Sequence, residues 1–244
     1  EGIKSQIANK GRFKTAIESL KNIKEINIYN AQDLFSKRFA AFSKSFANTN
    51  ANYNTLFGYD AGPAITTADN NSCFGTNAGQ RITTGGSNTC LGSSAGRYLT
   101  VQQKNVIIGH QAGDYVGYNQ SSLSSGSSNV IIGHLAAPET RVANESVYIG
   151  MEAARYLTTG NYNTGIGFQA CHGAYNDAGG SYNVCVGTKT GKSFTSGARN
   201  VLLGYKSGEF ITSGGNNIVI GHEAAPSSVT ADNEITLGNS SVAT

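Results

Sequence analysis

Two short segments of this 244-residue chain bring tyrosine together with side chains that hydrogen-bond hydroxyl groups. One lies within Asp114–Ser128 and the other within His172–Tyr182. The candidate residues are Tyr115, Tyr118, Asn119, His172, Tyr175, Asn176 and Asp177. A tyrosine ring stacks on a sugar ring, and Asn and Asp side chains hydrogen-bond to its hydroxyls. We therefore predict that these residues contact a glycan. The alternative is that both segments are simple surface bulges with no role in binding.

Other kinds of chemistry have little support in the sequence. It contains no P-loop, dinucleotide-binding fingerprint or HExxH motif, so we expect no enzyme activity, no cofactor and no metal. The acidic residues are scattered along the loops, whereas glycan cleavage needs two carboxylates a few ångströms apart. No run of about 18 apolar residues occurs, so membrane insertion is not expected. We expect no nucleic-acid partner either.

A repeat provides the elements that position the candidate residues. After residue 50, a stretch of the general form Asn-(Thr or Val)-x-apolar-Gly recurs eleven times, with a different first or second residue in four units. Successive repeat glycines lie 17, 17, 17, 24, 17, 17, 20, 17, 17 and 17 residues apart. These glycines are Gly58, Gly75, Gly92, Gly109, Gly133, Gly150, Gly167, Gly187, Gly204, Gly221 and Gly238. The two longer steps contain the two tyrosine-bearing segments, and loops on a rigid scaffold commonly carry binding function.

Each repeat unit predicts a short strand followed by turns. Apolar runs of four residues flanked by glycine are too short for helices and are typical of β-strands. Because one unit has too few apolar residues to form a core, the units must stack on one another. We predict a mainly β fold, a β-helix or solenoid of 17-residue rungs over residues 51–244, on the order of 50 Å long. The thin apolar content per rung also favours a homotrimer, intertwined or side by side, whose three chains share one core.

Three histidines occupy one position of the repeat. His110, His134 and His222 each follow a repeat glycine directly. On a trimer axis such residues would converge and could bind a metal. Other rungs have Tyr, Thr, Ser, Met, Phe or Asn at this position, so a tolerated polar residue is the simpler interpretation.

Three of the four cysteines also share a position in the repeat. Cys73, Cys90 and Cys185 stand where apolar residues stand in most other units, so we interpret them as small apolar side chains. A disulfide between Cys73 and Cys90 is conceivable, because these residues lie on successive rungs. Reduced thiols are the expectation for a protein assembled in a cytoplasm.

Residues 1–50 differ from the rest of the chain in composition. They hold nine Lys or Arg against four acidic residues and only two of the 31 glycines, whereas residues 51–244 hold nine against eleven. Apolar residues in this segment recur at helical spacings, and the last of them are Phe35, Phe39, Phe42 and Phe46. We predict a separate, partly helical collar here. The phenylalanine spacing also fits a short coiled-coil seam.

The last repeat unit, Asn-Glu-Ile-Thr-Leu-Gly-Asn-Ser-Ser-Val at 233–242, resembles a segment of bacteriophage tail fibres and tailspikes. In that family the segment stands just before a self-cleaving intramolecular chaperone domain of the endosialidase type. The other units within 51–244 resemble the repeats of those fibres. Similar units occur in trimeric adhesin heads and in the fibres of predatory bacteria.

This resemblance implies a homotrimeric β-helical fibre of the virion tail, assembled in the host cytoplasm and folded with a C-terminal chaperone that is later released. It also implies attachment to a host cell-surface receptor, which we expect to be a glycan such as lipopolysaccharide O-antigen. The alternatives are a bacterial trimeric adhesin, a glycan-degrading tailspike and a purely structural shaft.

Overall fold

The computed structural model describes residues 53–117, 126–175 and 179–241. The predicted collar at 1–50 lies outside the described residues. Within the described residues the chain is mainly β and contains no helix. The predicted β-solenoid is confirmed: the chain makes about ten turns, and each regular turn contains 17 residues.

Eleven strands of three residues each form one parallel sheet in sequence order. They are β1 Thr55–Phe57, β2 Ser72–Phe74, β3 Thr89–Leu91, β4 Val106–Ile108, β5 Val130–Ile132, β6 Val147–Ile149, β7 Thr164–Ile166, β8 Val184–Val186, β9 Val201–Leu203, β10 Ile218–Ile220 and β11 Ile235–Leu237. The register follows the repeat through both longer steps, since Ile107 pairs with Ile131 and Gly165 with Cys185. The extra residues therefore leave the sheet intact.

Side chains along each strand point alternately into and out of the solenoid, and this alternation determines which of them lie in the core. The middle residue points into the solenoid and is buried in β2–β10, as at Cys73, Ile131 and Leu202. The small residues of the corners and, in most rungs, one larger apolar residue such as Leu99 or Phe194 complete the interior. The first and third residues of each strand point away from it, as expected for a period of two.

The asparagine that begins most repeat units forms a buried ladder. Asn71 Oδ1 accepts hydrogen bonds from the backbone N–H of Asn88 (3.0 Å) and from its Nδ2 (3.1 Å). Asn88 Nδ2 also donates to the carbonyl oxygen of Gln102 at 2.9 Å. One rung has Ser146 instead, whose Oγ accepts from the backbone N–H of Asn163. The ladder satisfies backbone groups that would otherwise be buried without a partner.

The glycine after each strand is required by its geometry. Gly75 has φ of 133°, and a Cβ placed on it would lie 2.5 Å from the carbonyl oxygen of Gly92. Gly92 stands in the same relation to Gly109. No residue with a Cβ fits at these two positions, because the backbone of the next rung lies too close.

The structure corrects the expectation for one cysteine. Cys185 forms a disulfide with Cys171, across a Cα–Cα distance of 5.9 Å. Cys171 stands in a corner position that is glycine in most rungs, and Gly165 places no side chain in front of it. The sulfur of Cys171 therefore reaches Cys185 on the next rung. Cys73 and Cys90 are buried free thiols in register on β2 and β3, and the hydrogen bond that the Cys90 thiol donates to Cys73, together with burial, raises the pKa of Cys90.

Candidate functional site

The outward residues of the sheet form a continuous apolar surface, which we call the outer strand face. It consists of the first and third residues of β1–β11, all exposed or half-buried. None of these residues is charged, and only Thr55, Ser72, Thr89 and Thr164 are polar. Large side chains stand in water here, with Phe57 62%, Leu203 47% and Leu237 69% exposed. Such a patch marks an interaction surface.

A second surface follows the corner after each strand, and we call it the aromatic face. Five residues occupy the same position on successive rungs: Arg81, Tyr98, Tyr115, Glu139 and Tyr156. The stacking of rungs is held by backbone hydrogen bonds between neighbouring corners, such as Tyr98 N–H to the carbonyl of Asp114 (3.0 Å). The regular repeat therefore aligns these side chains in a column.

At the first part of the aromatic face, tyrosine and arginine side chains stack. The rings of Tyr98 and Tyr115 are 4.7 Å apart and nearly parallel. The guanidinium carbons of Arg81 and Arg97 each lie 4.6 Å from the centre of the Tyr98 ring. Cation–π attraction of this kind fixes the arginine side chains on the ring.

A buried carboxylate holds one of these arginines. Arg97 Nε and Nη2 donate to the two carboxylate oxygens of Asp114 at 2.9 and 3.0 Å. Asp114 is only 2% exposed, and its burial raises the pKa of the carboxyl, although the charge and hydrogen bonds of Arg97 oppose this. The pair makes this part of the surface rigid.

At the second part of the aromatic face, three rings meet. Tyr156 makes edge contacts with His172 (4.9 Å between ring centres) and Tyr175 (5.0 Å). His172 is 8% exposed and Tyr175 is 69% exposed. The guanidinium carbon of Arg155 lies 5.2 Å from the centre of the Tyr156 ring. Tyr175 is therefore the ring most available to a ligand in this group.

Glu152 connects the polar groups beside these rings. Its carboxylate accepts hydrogen bonds from Arg155 and from Gln169 Nε2 (2.7 Å) and lies 3.8 Å from His172 Nε2. The hydrogen bond from Gln169 lowers the pKa of Glu152, and Arg155 adds to this. Burial lowers the pKa of His172, against the opposing effects of the Gly173 carbonyl and of Glu152.

The described candidates from the sequence fall into two groups. Tyr115 belongs to the stack with Tyr98, while His172 and Tyr175 meet around Tyr156. The other predicted residues, Tyr118, Asn119, Asn176 and Asp177, lie outside the described residues. Sequence reasoning missed Tyr98 and Tyr156 because they stand in the regular repeat. The signal for them was the Arg-Tyr pair that both rungs share at one position.

Within the described part of one chain, the three histidines of this repeat position do not come together as a metal site. The rings of His110 and His134 stack at 5.4 Å, and His222 stacks on Tyr205 at 5.1 Å. Among residues 53–117, 126–175 and 179–241, no group of three or more His, Cys, Asp or Glu residues is arranged to hold a metal ion.

One pentapeptide matches the GxSxG pattern of serine hydrolases. It is Gly-Ser-Ser-Ala-Gly at Gly92–Gly96, and its central residue Ser94 has φ of 57°. In hydrolases that serine precedes a helix. Here a turn follows, and the equivalent residues Asn77 and Gln111 have the same backbone conformation. The pentapeptide is therefore a corner of the repeat.

Comparisons with protein-family models, with curated proteins and with solved structures gave no match to this chain. In the described part of the chain, no helix has the length and apolar character needed to cross a membrane.

Proposed function

We propose that this chain is part of a bacteriophage tail fibre that attaches the virion to a host cell-surface glycan such as lipopolysaccharide O-antigen. The observation that carries the proposal is the presence of two different interaction surfaces on one solenoid. The outer strand face is apolar and uncharged, whereas the aromatic face combines tyrosine with arginine and carboxylate groups. The first suits self-association and the second suits a polar ligand.

The outer strand face supports a homotrimer. An apolar stripe of two side chains per rung over eleven rungs is too extensive to remain in water. Three copies that turn this stripe toward a common axis would bury it and would share one core, as the sequence resemblance implies. In this proposal a C-terminal chaperone domain assists the assembly in the host cytoplasm.

The aromatic face supports glycan binding. Glycan sites combine aromatic rings with planar hydrogen-bonding side chains, and Tyr98, Tyr115, Tyr156 and Tyr175 stand beside Arg97 and Glu152. Successive rungs are about 4.8 Å apart, so a glycan chain aligned with the solenoid would meet equivalent positions one after another. The predicted contacts Tyr115 and Tyr175 belong to this surface.

The mass of the purified chain in solution tests the trimer. Light scattering is expected to give three times 25.5 kDa. Leu203→Glu combined with Ile220→Glu places charge on the outer strand face and is expected to reduce the mass to that of one chain. Ser213→Glu, at an exposed turn, is the matched control. A monodisperse wild-type monomer at micromolar concentration would contradict the trimer.

Binding to host cells tests the attachment. The wild-type trimer is expected to be retained on cells, and Tyr98→Ala with Tyr175→Ala is expected to lose this retention while keeping the trimer mass. Incubation with host polysaccharide separates the alternatives: release of fragments indicates a glycan-degrading tailspike, and absence of both binding and cleavage indicates a shaft.

A further inference from the structure

We infer that the aromatic face binds an anionic group of its ligand, a carboxylate or a phosphate, at Arg81. The inference rests on the proposed glycan-binding function and narrows it to acidic glycans. The observation behind it is that two arginines contact the Tyr98 ring, but only one of them, Arg97, is paired with a carboxylate.

The guanidinium group of Arg81 is exposed, and among the described residues it is held in place without a charged partner. It lies over the Tyr98 ring, with its central carbon 4.6 Å from the ring centre. In the part of the chain that the structure describes, it forms no ion pair and no side-chain hydrogen bond. Its planar set of N–H donors is thus oriented and unused.

The neighbouring arginines of the same surface are neutralised by carboxylates. Arg97 is held by the buried Asp114 with two hydrogen bonds, and Arg155 is paired with Glu152. Asp114 therefore fixes Arg97 against Tyr98 and leaves the positive charge of Arg81 uncompensated. A rigid floor beneath one free guanidinium is the arrangement expected of a preorganised anion site.

The far side of Arg81 offers room for a ligand. On the preceding rung the equivalent positions hold Pro63 and Ala64, whose side chains are short and uncharged. Arg81 is therefore the first large side chain of this column, and no large side chain at these positions of the preceding rung covers it. An anionic group can approach the guanidinium from this side and accept two parallel hydrogen bonds, the geometry that arginine forms with carboxylates and phosphates.

Binding to three polymers tests the inference with the full 244-residue chain. The probes are polygalacturonate, which carries carboxylates, poly(glycerol phosphate), which carries phosphates, and dextran, which is neutral. The wild type is expected to bind at least one anionic polymer and to bind dextran at least about tenfold more weakly, because a charged hydrogen-bonded pair contributes about this much. The two anionic arms distinguish a carboxylate ligand from a phosphate ligand.

Variants at two exposed arginines identify the site. Arg81→Gln is expected to lower the affinity for the anionic polymer about tenfold, and Arg81→Lys to lower it less, since lysine keeps the charge but lacks the planar fork. The matched control is Arg199→Gln, which removes an exposed arginine from the turn before β9. It is expected to change the affinity less than twofold.

Several results would overturn the inference. Equal losses in Arg81→Gln and Arg199→Gln would indicate diffuse charge attraction, and binding to neither anionic polymer would contradict an anion site. Host-cell binding that is unchanged in Arg81→Gln would also reject it while leaving the proposed attachment function standing. If cell binding is lost in the tyrosine variants but not in Arg81→Gln, the anion site is likewise rejected and the attachment function is retained.

Discussion

Tyr148 and Gly165 are register partners on β6 and β7, and the tyrosine ring lies 3.2 Å from the point where a Cβ on Gly165 would be. The largest side chain of the inner column thus faces the position that has none. Burial raises the pKa of Tyr148 to about 12, as expected for a phenol enclosed in the core. The tyrosine ring thus fills the space inside the solenoid that the missing side chain of Gly165 leaves open.

Replacing Gly165 by valine is expected to destabilise the chain by about 1–3 kcal/mol, because the interior at this point is already filled by Tyr148. Thermal unfolding measures the change, and Thr164→Val on the outer strand face is the control. Combining Gly165→Val with Tyr148→Val should recover part of the loss. Additive losses in the double variant would show that the two residues do not share one space.

Asn88→Ala is expected to destabilise the chain by about 2 kcal/mol or more, because it removes the buried hydrogen bonds from Asn88 Nδ2 to Asn71 Oδ1 and to the Gln102 carbonyl, and it leaves the backbone N–H of Asn105 without its acceptor. Asn88→Ser should cost less, since Ser146 shows that a serine Oγ can accept from the next rung. Thermal unfolding compares the two variants. Equal losses in both would contradict the proposed role of the acceptor.

The disulfide of Cys171 and Cys185 is expected to leave two titratable thiols in the unfolded, unreduced chain and four after reduction. The cross-link closes a 14-residue separation, so Cys171→Ser should lower the free energy of unfolding by about 3 kcal/mol. Cys73→Ser removes a free thiol and no cross-link, and it serves as the control. Four thiols before reduction would contradict the bond.

His172 is expected to make stability depend on pH. Its pKa in the folded chain is lowered by burial, so the unfolded chain binds a proton more readily as the pH falls through the ordinary value of 6.5. This contribution is therefore present above pH 6.5 and is lost as the pH falls toward the lowered folded-state value.

Thermal unfolding between pH 8 and 5 measures the effect of His172. The wild type should lose more stability over this range than His172→Gln, in which the side chain at position 172 does not titrate. Parallel curves for the two proteins would show that His172 is not the origin. The lowered pKa of Glu152 acts at more acidic pH, below its ordinary value of 4.5, so the two contributions can be separated.

The sequence alone determined the path of the backbone. A period of 17 residues makes residues one period apart neighbours in space, so the repeat determined strand positions, parallel register and the close approach at glycines such as Gly75. These features depend on one spacing, and that spacing is written directly in the chain.

Only the tertiary structure decided which side chains meet when they stand at different positions of the repeat unit. The bond between Cys171 and Cys185 and the contact of Tyr156 with Tyr175 join residues that are not one period apart. Such contacts depend on where the turns carry each side chain, which periodicity does not encode. The same holds for Arg81, whose lack of a carboxylate partner among the described residues becomes visible only when Asp114 is seen to bind Arg97.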